Sequence, residues 1–201
     1  MRAPWLSAGG RDVAELAELI DVMPTLAELA GVPVPTAYGI DGDSLVPALL
    51  RASGAAGAVG TPGAPPPPPP PPHLGDYAFS VFPRCPADVT NSSMFWAKND
   101  CLFTERSLIA FMGLSVRTAD WRYSEYRHWL GDALAPDWSR APVGTELFSH
   151  VGDEGNATTF DDFEVANLAG LPQYAGVQAE LAALLLSVAQ GAGGVGMGAG
   201  A

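Results

Sequence analysis

The sequence predicts an α+β fold: a small antiparallel sheet with a helix packed on it at the C-terminal end, preceded by a helical segment and a low-complexity connection. Three observations carry this. In "SLIAFMGLSVR" (107–117) Met112, Leu114 and Val116 alternate with Gly113, Ser115 and Arg117, the period of a strand with one buried face. In "LPQYAGVQAELAALLLSVAQG" (171–191) Tyr174, Val177, Leu181, Leu184, Leu185 and Val188 fall on one helical face. Between the N-terminal helical pattern and the first strand lies a stretch, "RASGAAGAVGTPGAPPPPPPPP", with nothing to bury.

The first periodic segment, "RDVAELAELIDVMPTLAELAGVPVP", repeats Val13, Leu16, Ile20, Met23, Leu26 and Leu29 at helical spacing and predicts one or two helices. Asp12 and Glu15 resemble a capping box, Pro24 suits a first turn after Asp21, and Gly31 before Pro33 is a stop signal. Segment 51–75 reads as a linker whose eight consecutive prolines favour an extended polyproline II rod. Flanking basic residues that would orient a proline-rich docking peptide are missing. "DYAFSVF" (76–82) follows as a strand ended at Pro83. "TAD" then joins the strand 107–117 to a return strand "WRYSEYRHW", and "GTELFSH" adds another. Gly191 ends the last helix, and 191–201 reads as a disordered Gly/Ala tail.

Of 201 residues, 48% are hydrophobic and only 16% charged, while 23 glycines and 19 prolines gather in stretches that cannot pack, so the folded part is well below the full length. A net charge of −12 sets a field that repels nucleic acids and anionic membranes, and no nucleic-acid partner is expected. No apolar run reaches the ~18 residues needed to span a bilayer, and "MRAPWLSAGG" is too short in apolar residues for a signal peptide. The two cysteines, Cys85 and Cys101, bracket the sequon at Asn91, and a second sequon lies at Asn156. This fits an oxidising compartment, in which a bridge over so short a loop contributes about 3 kcal/mol. Two buried thiols and chance sequons are the alternative.

Catalytic constellations are incomplete. "GDSL" (42–45) invites a serine-esterase reading, but no Asp-x-x-His supplies the base: Pro70, Glu125 and Leu147 stand three before the histidines. Asp41-Gly42-Asp43 could open a calcium loop, yet its twelfth position is Ala52 instead of a bidentate glutamate. His73, His128 and His150 have no metal-ligand spacing, neither cysteine sits at a predicted helix start, and Asp161-Asp162 reads as a solvated turn. Residue by residue, the chain is an acidic α+β module behind a flexible linker.

Several pieces nevertheless match the closing section of type I sulfatases in order. "LAELIDVMPTLAELAGVPVP" is similar to Leu-Val-Asp-x-x-Pro-Thr-Leu-x-x-Leu-Ala-Gly, through Leu19, Asp21, Pro24, Thr25, Leu26, Leu29, Ala30 and Gly31. "DGDSLVPALL" resembles the Asp-Gly-x-Ser-Leu-x-Pro-Leu-Leu that follows it. "DYAFSVFPRCP", "MGLSVRTADWRYSEY" and "GTELF" look like the C-terminal subdomain of the iduronate-2-sulfatase branch, and "DDFEVANLA" resembles Asp-Pro-x-Glu-x-x-Asn-Leu-Ala through Asp161, Glu164, Asn167, Leu168 and Ala169. The proline-rich insertion, Phe148 in place of a frequent tyrosine, and extra residues before Asp161 depart from the pattern.

The resemblance implies an alkaline-phosphatase-like α/β sulfatase fold. Residues 1–50 would be the tail of its main domain, 51–75 a linker, 76–190 the C-terminal subdomain and 191–201 a tail. It implies a sulfuric ester hydrolase acting on a sulfated polysaccharide or a small sulfate ester, with calcium and a formylglycine made from cysteine, in a lysosomal or extracellular setting. That formylglycine needs Cys-x-Pro-x-Arg or Cys-x-Ser-x-Arg; "CPADV" and "CLFTE" are neither, and the family's calcium ligands and active-site lysines have no counterpart here. The expectation is therefore a C-terminal piece, inactive alone, with no catalytic, cofactor-binding or metal residue of its own. A free-standing lumenal or extracellular module using the proline-rich stretch as spacer or ligand is the alternative. Arg117, at the family's Ser-x-Arg-Thr position, is the candidate for a structural or site-facing role; Arg122 and Arg127 are expected as cross-strand partners of Asp120 and Glu125.

If Cys85 and Cys101 are bridged, the intact mass of secreted protein will rise by two hydrogens on reduction. Free thiols in the non-reduced protein would remove the bridge.

Overall fold

The computed structural model describes residues 13, 15–34, 40–53, 75–84, 101, 105–153 and 163–191. The expected linker from 54 onward, Cys85, Asn91, Asn156, the Asp161-Asp162 pair and the tail from 192 lie outside these. The chain divides into two compact units, Met1–Ala78 and Phe79–Ala201.

In the first unit a 3-10 turn, Leu19–Asp21, leads into helix α1 (Val22–Ala30), and α2 spans Val46–Ser53. Pro24 sits in the first turn of α1 and Gly31 ends it in left-handed backbone, as the sequence signals indicate. The buried side of α1 is not the apolar stripe read from the periodicity. Leu19 is 92% exposed, and Ile20, Met23 and Leu26 are also exposed, while Asp21, Pro24 and Thr25 are buried. Hydrogen bonds dictate the choice. The Asp21 carboxylate accepts from the Glu18 amide at 2.8 Å and from the Asp43 amide at 2.9 Å. The Thr25 hydroxyl donates to the Asp21 carbonyl at 2.6 Å and accepts from the Leu45 amide at 2.8 Å. Glu18 and Asp21 form a capping box; Asp12 of the expected one lies outside the described residues.

Gly42 makes this fastening possible: a Cβ there would lie 2.1 Å from the Ile20 carbonyl oxygen. Ser44 then accepts from the Val46 amide at 3.2 Å, the role of a helix cap, which accounts for the serine of "GDSL" without a nucleophile. α2 continues through Arg51, whose guanidinium pairs with Glu15 at 3.1 Å; helix thus extends into what composition reads as the start of the linker.

The second unit is built on strands β1 (Ala78–Arg84), β2 (Phe111–Arg117), β3 (Trp121–Leu130), β4 (Ala135–Pro136) and β5 (Gly144–Ser149). β3 is central. It pairs antiparallel with β2 from Phe111↔His128 to Arg117↔Arg122, and with β5 from Trp121↔Ser149 to Tyr126↔Gly144; its far end meets β4. β1 flanks β2 at the edge and passes through Pro83 instead of stopping there, because an edge strand can spare one amide. "RSL" forms a 3-10 turn over Arg106–Leu108, so β2 starts later than the apolar run suggests.

Helix α3 (Ala175–Ala189), entered through the 3-10 turn Pro172–Tyr174, packs on β2 and β3. Leu181, Leu185 and Val188 meet the face carrying Met112, Leu114, Val116, Tyr123 and Leu147, all buried. Each such leucine contributes about 1.5–3 kcal/mol by leaving water. This is the mixed helix and antiparallel sheet architecture expected from the sequence, with β4 and α2 added.

Substituting Gly42→Ala should lower the stability of the first unit by about 1–3 kcal/mol, the usual cost of forcing atoms into filled space. Hydrogen exchange at the Leu45 amide reports it. Protection equal to that of the unsubstituted protein would show that the 42–45 segment is not fastened to Asp21 and Thr25.

Candidate functional site

On the sheet face away from α3, the β2/β3 register sets Arg117 opposite Arg122 and Ser115 opposite Ser124. Two arginines facing each other repel unless each meets an acid. Arg122 Nη1 donates to Glu164 Oε1 at 2.8 Å and to Oε2 at 2.7 Å. Arg117 donates to the carbonyls of Thr118 and Ala119, bracing its own turn, and its Nη2 lies 3.8 Å from Asp153.

His150 stands between the two acids. Its Nδ1 is 2.9 Å from Asp153 Oδ2 and its Nε2 is 2.9 Å from Glu164 Oε1, while the ring stacks on Phe163 at 5.6 Å and 10°. Only 8% of His150 is exposed, and its amide donates to the Asp120 carbonyl at 2.7 Å. Each ring nitrogen of His150 thus lies within hydrogen-bond distance of a carboxylate, and which of them donates depends on the tautomer. The result is one ionic chain, Arg117, Asp153, His150, Glu164, Arg122, across the mouth of the β2/β3 turn.

Glu164 holds a left-handed φ of +62°, a conformation that costs a non-glycine residue about 1–2 kcal/mol. Its side-chain bonds offset that strain. Partial burial opposes ionisation of Glu164, but the bonds from Arg122 and His150 outweigh it and hold the carboxyl below its ordinary value. Burial likewise lowers the Arg117 guanidinium, with Asp153 and Glu164 acting in the opposite sense.

The segment carrying Glu164 is bound at a second point. Asn167 Oδ1 accepts the Leu147 amide at 3.0 Å, its Nδ2 donates to the Thr145 carbonyl at 3.0 Å, and the Leu168 amide donates to the Leu147 carbonyl at 2.8 Å. Residues 163–168 thereby add an irregular rung to β5.

The third arginine points elsewhere. Arg127 shares the α3 face with Glu125, its same-strand neighbour, and donates to Glu125 Oε2 and to the Arg140 carbonyl at 2.9 Å; its guanidinium lies 4.5 Å from the centre of the Trp138 ring. Glu125, 4% exposed, also accepts from the Tyr123 hydroxyl at 2.8 Å. Burial, then this carboxylate, push the Tyr123 hydroxyl well above its usual range. The expected cross-strand pairing of Arg122 with Asp120 and of Arg127 with Glu125 is corrected: Arg122 reaches Glu164 and Arg127 bonds along its own strand. The reason is geometric. Residues two apart on a strand share a face, whereas Asp120 lies in the turn.

Among the predicted site residues, the structure thus places Arg117 in the ionic chain. Cys101 is buried with a φ of +49° and is not a free thiol; Cys85, Asn91 and Asn156 fall outside the described residues, and the glycans rest on the sequence alone. His150 and Asp153 are not singled out by any spacing; only Glu164 has a signal, in "DDFEVANLA". Both ring nitrogens of His150 face carboxylates and neither faces a hydroxyl, so the cluster holds no serine–histidine relay.

The calcium implied by the sulfatase resemblance does not fit the donors described. Such an ion needs several free oxygens. Both oxygens of Asp21 are taken by amides, those of Glu164 by Arg122 and His150, and those of Glu125 by Tyr123 and Arg127. Among the described residues no group of three or more acidic, histidine or cysteine side chains could hold a metal, and no helix is long and apolar enough to cross a membrane.

No family model and no curated protein matches the sequence. Solved structures do. A provisionally assigned sulfatase from Bacteroides thetaiotaomicron VPI-5482 aligns at 21% identity and a TM-score of 0.44, over 86% of this chain and 24% of its own. A 2-O GAG sulfatase aligns at 23% and 0.43, over 84% and 23%. A third structure, in complex with its substrate D-glucosamine-2-N,6-O-disulfate, aligns at 21% and 0.44, again over 84% and 23%. The chain spans about a quarter of the length of these structures.

Because the folded carboxyl of Glu164 titrates below its ordinary 4.5, the unfolded chain binds more protons in the window between the two values. Its contribution to stability is complete above pH 4.5 and is lost as pH falls through the folded value. Glu164→Gln should lower the melting temperature at neutral pH and flatten the acid limb of a melting-temperature profile. An acid limb as steep as that of the unsubstituted protein would remove Glu164 as its source.

Proposed function

We propose that this chain is the C-terminal portion of a sulfatase-type sulfate ester hydrolase of the iduronate-2-sulfatase branch. In the complete enzyme it would help wall a site for sulfated uronic acid glycans or small sulfate esters, with the nucleophile and calcium ligands supplied by other sequence. Its setting would be lysosomal or extracellular, with a Cys85–Cys101 bridge and glycans at Asn91 and Asn156.

One observation carries the reading: the segments that resemble the family, scattered in sequence, meet in pairs. Asp21 and Thr25 of the "DVMPT" segment bond the amides of Asp43 and Leu45 in "DGDSL". Arg122 of the hairpin motif bonds Glu164 of "DDFEVANLA", and Asn167 of that same motif bonds both ends of the Thr145–Leu147 stretch in "GTELF". Residues that a chance match would scatter are the ones satisfying one another's polar groups, which is what a structural signature requires.

The same contacts occupy Asp21, Glu164 and His150, and the reading assigns this chain a supporting role and no turnover of its own. Purified 1–201, incubated with calcium and a generic aryl sulfate, should release no product above a buffer blank. Measurable release would contradict the proposal, because it would demand a nucleophile the reading places elsewhere.

A further inference from the structure

Apolar contacts alone do not decide how α3 sits on the sheet. Its sequence, "AGVQAELAALLLSVA", has Gln178, Glu180 and Ser187 as its polar side chains. Successive residues turn about 100° around a helix, so Leu184, Leu185 and Leu186 together span more than half of its circumference. Leu185 is fully buried and Leu186 is exposed, yet a rotation by one residue would exchange the two with little change in apolar area buried. A slide of one turn, about 5.4 Å, would likewise bring Leu181 to the place of Leu185.

The polar residues break this near equivalence. Glu180 and Ser187 are exposed, whereas the carboxamide of Gln178 is engaged at both ends. Its Oε1 accepts from the Gly170 amide at 2.9 Å, and its NH₂ end bonds the Tyr123 hydroxyl. Tyr123, buried beneath the helix, donates in turn to Glu125 Oε1 at 2.8 Å. Glu125 Oε2 accepts from Arg127 Nε, and Arg127 donates to the Arg140 carbonyl at 2.9 Å. One chain of hydrogen bonds thus runs from the segment before α3, through the helix, to the central strand and the loop after β4. A rotation by one residue swings Gln178 through about 100°, and a slide of one turn carries it about 5.4 Å. Either parts it from Tyr123 and strips the buried hydroxyl of that partner, a cost the apolar contacts do not make good.

We propose that Gly170, Gln178, Tyr123, Glu125 and Arg127 form a registration device that selects one seat for α3 among several the apolar contacts would hold about equally well. Leu181, Leu185 and Val188 supply the stability of the packing, and the polar chain supplies its uniqueness. This division fits the known energetics of buried ion pairs, which an apolar replacement often matches in stability and whose best-attested use is to fix register. The device also reaches the ionic chain. Because Gln178 holds the Gly170 amide, the seat of α3 sets where the 163–170 segment, and Glu164 with it, comes to lie against Arg122. This inference is separate from the hydrolase reading: it needs no substrate, and either can fail while the other stands.

The test compares full chain 1–201 with Gln178→Leu and Tyr123→Phe by circular dichroism, thermal melting and methyl NMR. In the unsubstituted chain α3 should give one set of sharp resonances, with Leu185 methyls showing contacts to Leu114 and Val116. Gln178→Leu should keep its helix content and a melting midpoint within about 8 °C of the original. Its α3 resonances should double or broaden, and contacts from Leu184 or Leu186 to Leu114 and Val116 should appear beside those from Leu185. Tyr123→Phe, which removes the middle link and keeps the ring, should do the same. A single sharp set with unchanged Leu185 contacts in both variants would overturn the proposal, because α3 would then find its seat without the polar chain. Loss of the fold in Gln178→Leu would also overturn it, since the chain would then be needed for stability itself.

Discussion

The larger unit depends on β3 being covered on every side. Its two edges are taken by β2 and β5, one face lies under α3, and the other carries charge that must be neutralised within the unit. A central strand reading Trp-Arg-Tyr-Ser-Glu-Tyr-Arg-His-Trp brings two arginines and a glutamate into that position, and burying unpaired charge would cost more than the sheet gains. Each charge therefore has a partner. Glu125 is closed off by Tyr123 and Arg127 beneath α3, and Arg122 draws in Glu164 from more than forty positions along the chain. The placement of 163–168 follows from this demand.

A parallel logic governs the smaller unit. There a carboxylate and a hydroxyl, Asp21 and Thr25, collect the amides of the 43–45 segment, and Gly42 supplies the closeness they need. Polar groups near the chain's turns set the packing in both units, and apolar contacts fill what remains. The apolar residues of α1 are thus exposed while its polar side is anchored, a reversal that periodicity cannot foresee because it scores hydrophobicity and ignores hydrogen-bond partners.

What the sequence discloses follows from that difference. Alternation located β2, since Met112, Leu114 and Val116 are buried against α3 as their spacing requires, and the 3.6-residue period located α3. Gly31 and Pro24 marked the bounds of α1 through backbone conformation alone. Less legible were α2, whose eight residues run on into a low-complexity stretch, and β4, two residues reached through a turn with Leu134 at a φ of +49°. Least legible was the ionic chain. Arg117, Arg122, His150, Asp153 and Glu164 come from three stretches of sequence, and only the folded register brings them within bonding distance. Glu164 was visible solely because its motif resembles one in a known family.

That resemblance, joined to the contacts between its motifs, is the centre of the account, and sequencing the full-length transcript tests it most directly. The account predicts an in-frame segment upstream of Met1 that encodes Cys-x-Pro-x-Arg or Cys-x-Ser-x-Arg together with paired aspartates. An in-frame stop codon just before Met1, behind a working promoter, would contradict it.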